Sequence, residues 1–341
     1  MRSYVEASGF PLVEVGGIPV PRVIIGCLPF LGESYQGEAK NRLYVERFSN
    51  VDYTVKVLVK AVEDYGATAV SAVPSMEGRL ASLLLEAIKR AERITDVELA
   101  LTFCLRIPLR MEGERIDDYR RWASYLNYEA KLVGENILER YLNDPILLCR
   151  KGWKKRFQYT VDHLGGYDRD ELDKLEIDFD RVKDCLDCFR DFKVIFVEPG
   201  SESDFLAISG RLDLLEDLVS LLRNEGFETI VLGVHHAGST IPILEDSEIE
   251  VDGYLTPVNK LGALMLPNRE LALKAIKGSS KPVIAIKTMA GGRIPPAEAF
   301  DFVFNEVGVD ACMIGVGSLE ELEEDFSIAK RILKGLDEES S

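Results

Sequence analysis

Most of the residues best suited to chemistry in this 341-residue chain stand at the ends of short apolar runs. Two of its three histidines, His235 and His236, are adjacent in VLGVHHAGS. Histidine carries protons near neutral pH and ligates metals, so a pair where a strand meets a loop predicts an acid/base or metal site. Glu198 closes VIFVE, and a carboxylate buried after such a run must find a cation, a metal or a proton. Lys287 closes VIAIK. A lysine there forms a Schiff base when desolvation lowers its pKa; holding a substrate anion or pairing with Glu198 is the simpler expectation. The stretches MAGGRIPPAEA and IGVGSLEE place Gly291, Gly292, Arg293, Gly315, Gly317 and Ser318 where backbone N–H groups can cradle phosphate. Cys27 and Cys104, with Glu198 and His236, supply thiolate, oxygen and nitrogen donors suited to zinc, although no tight motif such as H-x-x-H accompanies them. The C-x-x-C of Cys185 and Cys188 lies in an amphipathic stretch and makes at most half a metal site.

The elements that must position these residues recur along the chain. Eight β-rich runs end at Cys27, Val73, Leu105, Glu198, Val234, Thr256, Lys287 and Val316, most followed by a turn and a segment with helical apolar spacing. Continuous apolar strands covered by helices imply a parallel sheet, and eight units imply a closed (β/α)8 TIM barrel, with a doubly wound open sheet as the alternative. The whole chain, 1–341, then reads as one barrel domain whose active face lies at the C-terminal strand ends. Residues 106–192 exceed what one covering helix needs and read as a helical insertion over that face, carrying Arg150, Lys151, Lys154, Lys155 and Arg156 among Trp153, Phe157 and Tyr159.

Successive strand residues face opposite sides, so a regular fifth strand admits one imidazole to the barrel mouth. Position favours His236, where the loop begins, with His235 as the alternative. The net charge of −17 opposes general nucleic-acid binding and an anionic membrane surface. No run is long and apolar enough to span a membrane, so a cytoplasmic protein with reduced thiols is expected, and a homo-oligomer is compatible with the chain.

The C-terminal third, from VLGVHHAGSTIPILEDSEIEVDGYLTPVNKLG through PVIAIKTMAGGRI to VGVDACMIGVGSLEELEEDFSIAKRIL, resembles the aldo-keto reductases over about residues 227–335. The resemblance implies a (β/α)8 barrel binding NADPH across its strand ends. It also implies a catalytic tetrad, which does not carry over. The aspartate position holds Ser71, the tyrosine position Met76 and the histidine position Glu198, and no lysine stands between Val97 and Leu105. The two positions that hold the nicotinamide amide map to His235 and His236, and the nicotinamide-stacking glutamine maps near Leu255. Asn259 matches a residue common after the sixth strand; Gly315, Ser318 and Glu324 match the loop around the adenosine phosphate, with Asp325 near the adenine position.

The leading expectation is an enzyme of isomerase, lyase or hydrolase type acting on a small anionic metabolite. Its acid/base chemistry is rebuilt around Glu198 and a histidine, and Lys287 and the 291–293 loop hold the anion. An NAD(P)H-dependent oxidoreductase, a divalent-metal enzyme and a non-catalytic scaffold are the alternatives.

Overall fold

The computed structural model describes residues 1–134 and 137–339. Eight strands form one parallel sheet: β1 (Val23–Gly26), β2 (Ala69–Ala72), β3 (Ala100–Leu105), β4 (Lys193–Pro199), β5 (Val231–Gly233), β6 (Gly253–Pro257), β7 (Val283–Ile286) and β8 (Ala311–Gly315). They pair in chain order, with β8 beside β1. A parallel bridge between Val197 and Ile230, with Val197 N–H donating to Thr229 O at 3.0 Å, closes the sheet between β4 and β5. The chain is therefore a (β/α)8 barrel, and each of the eight expected runs ends within one residue of an observed strand end.

The strands read as unbroken apolar runs because both of their faces are buried. One face packs on the outer helices; the other fills the barrel, where Ile24, Ala69, Ala100, Val231, Leu255, Ile284 and Ala311 form one cluster. Val15 and Val20 of an N-terminal hairpin, Leu12–Val15 with Ile18–Pro21, join that cluster and plug the N-terminal end of the barrel. The plug leaves the C-terminal strand ends as the open face.

Residues between β3 and β4 build a separate layer of several helices, chief among them Asp118–Val133 and Trp153–His163. Asp117 caps the first of these, accepting the N–H groups of Tyr119 and Arg120. The segment also holds a small antiparallel sheet, Glu114–Arg115, Leu109–Met111 and Leu175–Ile177, which the helical expectation lacked because strands this short leave little periodic signal. The basic-aromatic stretch does not present one surface. Trp153 and Phe157 are buried, stacked at 4.8 Å, whereas Lys154, Lys155, Arg156 and Tyr159 face outward. Among the described residues no helix is long and apolar enough to cross a membrane.

Candidate active site

A cavity of about 790 Å³ opens at the C-terminal strand ends and is lined by Cys27, Ser71, Cys104, Glu198, His235 and Lys287, among others. Strand geometry brings them together. β4 carries one extra residue at Ile195 relative to β3, after which Phe196 pairs with Thr102 and Glu198 with Cys104. The bulge sets the inward phase of the last turn of the strand, so the Glu198 carboxyl enters the barrel. On β5 a Cβ at Gly233 would lie 2.6 Å from Glu198 Oε1. Glycine there makes room for the carboxylate.

Glu198 is only 8% exposed. Burial pushes its carboxyl up to about 7, opposed by the positive charge of Lys287 and by a hydrogen bond from the Cys104 thiol, and reinforced by the nearby Glu202. At neutral pH the group is therefore divided between acid and base. Lys287, directly after β7, sits at φ 55°, a left-handed conformation that costs a lysine roughly 1–2 kcal/mol. Burial pulls its ammonium down to about 8, with Glu198 resisting the shift and Arg150 assisting it. Its Nζ lies 3.1 Å from His235 Nε2 and 5.3 Å from the centre of the Tyr35 ring. The lysine thus bonds the imidazole and feels the carboxylate at longer range, unlike the direct Glu198 pair expected from the sequence.

The two histidines face opposite ways. His235 lines the cavity, and burial together with the Lys287 charge holds its pKa well below the usual range, so the ring is neutral. When Lys287 donates to Nε2, the ring proton resides on Nδ1, which has no partner among the described residues. His236 is 1% exposed and lies outside the cavity. Its Nδ1 is 2.7 Å from Glu129 Oε1, and its ring packs on Tyr125 at 4.1 Å and Trp122 at 5.1 Å. Tyr141 and Ser239 donate to the same Glu129 carboxylate, so the group clasps the inserted helix to the helix Ala237–Glu245. The preference for His236 as the residue at the mouth is thereby reversed. Asp204 fixes the junction between them: its carboxylate accepts the N–H groups of His235 (2.8 Å) and His236 (3.2 Å) and the Thr240 hydroxyl.

The zinc set does not assemble, because His236 is turned into the insertion while Glu198 faces the cavity. Among the described residues no group of three or more His, Cys, Asp or Glu side chains is arranged to hold a metal ion. Burial raises the Cys27 thiol to about 12 and lifts Cys104 as well, which disfavours the thiolates a zinc site needs.

The two glycine loops differ: Gly291, Gly292 and Arg293 line the cavity, whereas the loop after β8 is engaged by the chain itself at Gly317. Arg293 spends its guanidinium on the carbonyls of Tyr35, Ala290 and Pro145 and on Cys149 Sγ, and Gly291 and Gly292 press against Tyr35 and Gln36. Asn259 is fully buried and closes its own loop through two hydrogen bonds to Ala263. After β8, Gly317 N–H donates to Glu321 Oε2 at 2.7 Å, and Ser318 caps the last helix through Glu321 N–H. A Cβ at Gly317 would fall 2.2 Å from the Tyr44 side chain, and one at Gly315 2.9 Å from Pro29. Glu321 and Asp325 line this end of the cavity, Asp325 with its carboxyl raised to about 7 by burial and by its acidic neighbours, while Glu324 points to solvent. Lys40, the cation at this end, is matched by Glu321 at 3.1 Å, so with Asp325 and an already engaged backbone N–H the lining does not fit the adenosine 2′-phosphate of NADPH.

Two contributors, Tyr35 and Asp204, went unread in the sequence, and Arg150 was read there only as one of a basic-aromatic cluster. Tyr35 lies in a loop with no motif. Asp204 follows Glu198 in the acidic stretch EPGSESD, a signal that was available. Arg150 lines the cavity from the insertion, 5.9 Å from the Trp122 and Trp153 rings; among the described residues no hydrogen bond or ion pair engages its guanidinium.

No protein-family model and no curated protein matches the chain. Solved structures do. Two structures of Pseudomonas aeruginosa proteins assigned to the aldo-keto reductases align at 15% and 16% identity, each covering 94% of this chain and 95% of theirs with a TM-score of 0.50. The aldose reductase of Schistosoma japonicum aligns at 11% identity over 95% of this chain and 92% of its own, with a TM-score of 0.46. At these identities the likeness is one of fold, and the fold of this chain is an aldo-keto reductase-like barrel.

Proposed function

We propose that the protein is an enzyme that moves a proton on a small anionic metabolite, in a reaction of isomerase, lyase or hydrolase type, at the mouth of the barrel. The observation that carries this reading is the convergence of Glu198, His235 and Lys287 in one cavity, with the carboxyl raised to about 7 and the ammonium lowered to about 8. Titratable groups whose environments bring them toward neutrality serve general acid/base chemistry at physiological pH. Glu198 takes and returns the proton. The Lys287 nitrogen takes up the charge that develops on the substrate, and neutral His235 holds that nitrogen in place. Apolar walls from Leu255, Ile286 and Met313 keep water from competing. Six free cysteines suit action in a reducing cytoplasm.

NAD(P)H-dependent reduction has the fold in its favour, against the absent tetrad and the acidic phosphate end. One experiment separates the two. In D2O, with a panel of small carboxylated and phosphorylated metabolites, the protein should remove the 1H NMR signal of a carbon-bound proton in at least one of them. Glu198→Gln should stop that exchange. No exchange across the panel, with NADPH instead consumed against carbonyl compounds, would overturn the proposal.

A further inference from the structure

The proton-transfer reading leaves open how Lys287 takes up charge and what substrate it accepts. From the geometry of the cavity we infer that Lys287 forms a Schiff base with a carbonyl substrate whose carboxylate or phosphate is held by Arg150. This inference rests on the proposed function and deepens it.

Four observations converge on it. The Lys287 nitrogen lines the cavity, and its hydrogen-bond partner is an imidazole nitrogen, not a carboxylate. A lysine held by a close ion pair stays protonated and inert, whereas one beside a neutral imidazole can present its lone pair. Burial points the same way by lowering its pKa. Second, Lys287 keeps a left-handed backbone that glycine or asparagine would adopt more cheaply. Strain of this kind persists where the surrounding structure over-determines it, often at functional sites.

Third, the cavity has a cation to spare. Lys40 pairs with Glu321 at 3.1 Å, Arg106 with Asp118 at 2.8 Å, and Arg293 is bound by carbonyls. Arg150 alone among these, within the described residues, has no anionic partner, and its charge is felt at both Lys287 and His235. An anionic group placed on Arg150 would relieve that repulsion and leave a carbonyl elsewhere on the same small molecule near Nζ. Lys287 is then free of the anion-holding role. Fourth, Glu198 supplies the proton traffic the condensation requires.

The step balances as follows. The neutral amine attacks the carbonyl carbon, forming a C–N bond while the C=O π pair moves to oxygen. The now cationic nitrogen gives up one of its two protons, through the adjacent His235 Nε2, and the oxygen takes one up, so the carbinolamine is neutral with its nitrogen lone pair restored. Protonated Glu198 then gives its proton to the carbinolamine hydroxyl, the C–O bond breaks, water leaves, and the nitrogen lone pair closes the C=N bond. The iminium retains one N–H and draws electrons from the adjacent carbon, and ionised Glu198 removes a proton from that carbon. No oxidant or reductant is consumed.

The test is reductive trapping. Wild-type protein is incubated with sodium borohydride and either pyruvate, which offers a carboxylate, or glyceraldehyde 3-phosphate, which offers a phosphate, and then digested and mapped by mass spectrometry. The reduced adduct should concentrate on the peptide bearing Lys287 with one of the two probes, which also identifies the anion. Arg150→Ala should lower that labelling at least tenfold while leaving labelling of surface lysines unchanged, and Lys287→Arg should remove it. Labelling spread evenly over surface lysines, with proton exchange in D2O intact, would overturn the Schiff base and leave the proton-transfer reading standing. Loss of both would remove both. Since the wild-type map decides the outcome, a variant that fails to fold does not rescue the inference.

Discussion

His235 and His236 are separated by one peptide bond and occupy two different environments. The first stands at the cavity wall beside Lys287 with an unpartnered Nδ1; the second is sealed among Trp122, Tyr125 and Tyr141 with its nitrogen on Glu129. His235 keeps the inward phase of Gly233 and His236 the outward phase of Leu232 and Val234, although both lie past the end of β5, where Asp204 accepts both N–H groups and fixes the turn. The same residue type is thus used once for chemistry and once to fasten the insertion to the barrel. Adjacency in sequence says nothing of a shared role.

Substitutions at the two histidine environments should have different consequences. The largest effect is expected at the cavity: Glu198→Gln should slow proton exchange by about 10²–10⁴-fold while the circular dichroism spectrum and melting transition stay near wild type. At the other pole, His236→Ala should destabilise the fold by about 2–5 kcal/mol in urea denaturation, because it removes one partner of the buried Glu129 carboxyl and empties the space among Trp122, Tyr125 and Tyr141, and should leave the reactivity of Lys287 in folded protein unchanged. A His236→Ala protein that is fully stable but inactive would erase the distinction. Gly233→Ala should have a smaller effect than Glu198→Gln, slowing exchange by about 10–100-fold as the new methyl displaces the carboxylate, with KM little changed. The pH response is read on the unsubstituted protein. Because the raised Glu198 carboxyl must ionise to act as base, exchange should climb about tenfold per pH unit as pH rises toward 7. A midpoint near the ordinary glutamate value would show that the carboxyl is solvated.

The barrel was legible because strands buried on both faces must be apolar throughout, and eight such runs are hard to place otherwise. Glu198 and Lys287 were legible for the complementary reason, since each is an ionisable residue at the end of an apolar run. The phase of β5 was not, because the pattern alone left open whether Gly233 faced the barrel axis or a helix; the Glu198 carboxylate that needs its missing Cβ settles that question. Glu129, the partner of His236, lies 107 residues away along the chain, so no local spacing pointed to it. The glycine loops after β7 and β8 misled for a related reason. Their spacing suits phosphate, but the Gly317 N–H is taken by Glu321 and side chains would meet Tyr44 at Gly317, Tyr35 at Gly291 and Gln36 at Gly292, residues that long-range packing alone brings there.

Lys287 is a desolvated amine that shares its cavity with Glu198. The direct measurement is the rate of acylation of Lys287 by a small amine-reactive reagent against pH, read peptide by peptide in the mass spectrometer. A midpoint near 8, falling further in Glu198→Gln once the opposing carboxylate charge is gone, is the predicted result. A midpoint at the ordinary lysine value of about 10.4, unmoved by Glu198→Gln, would contradict it.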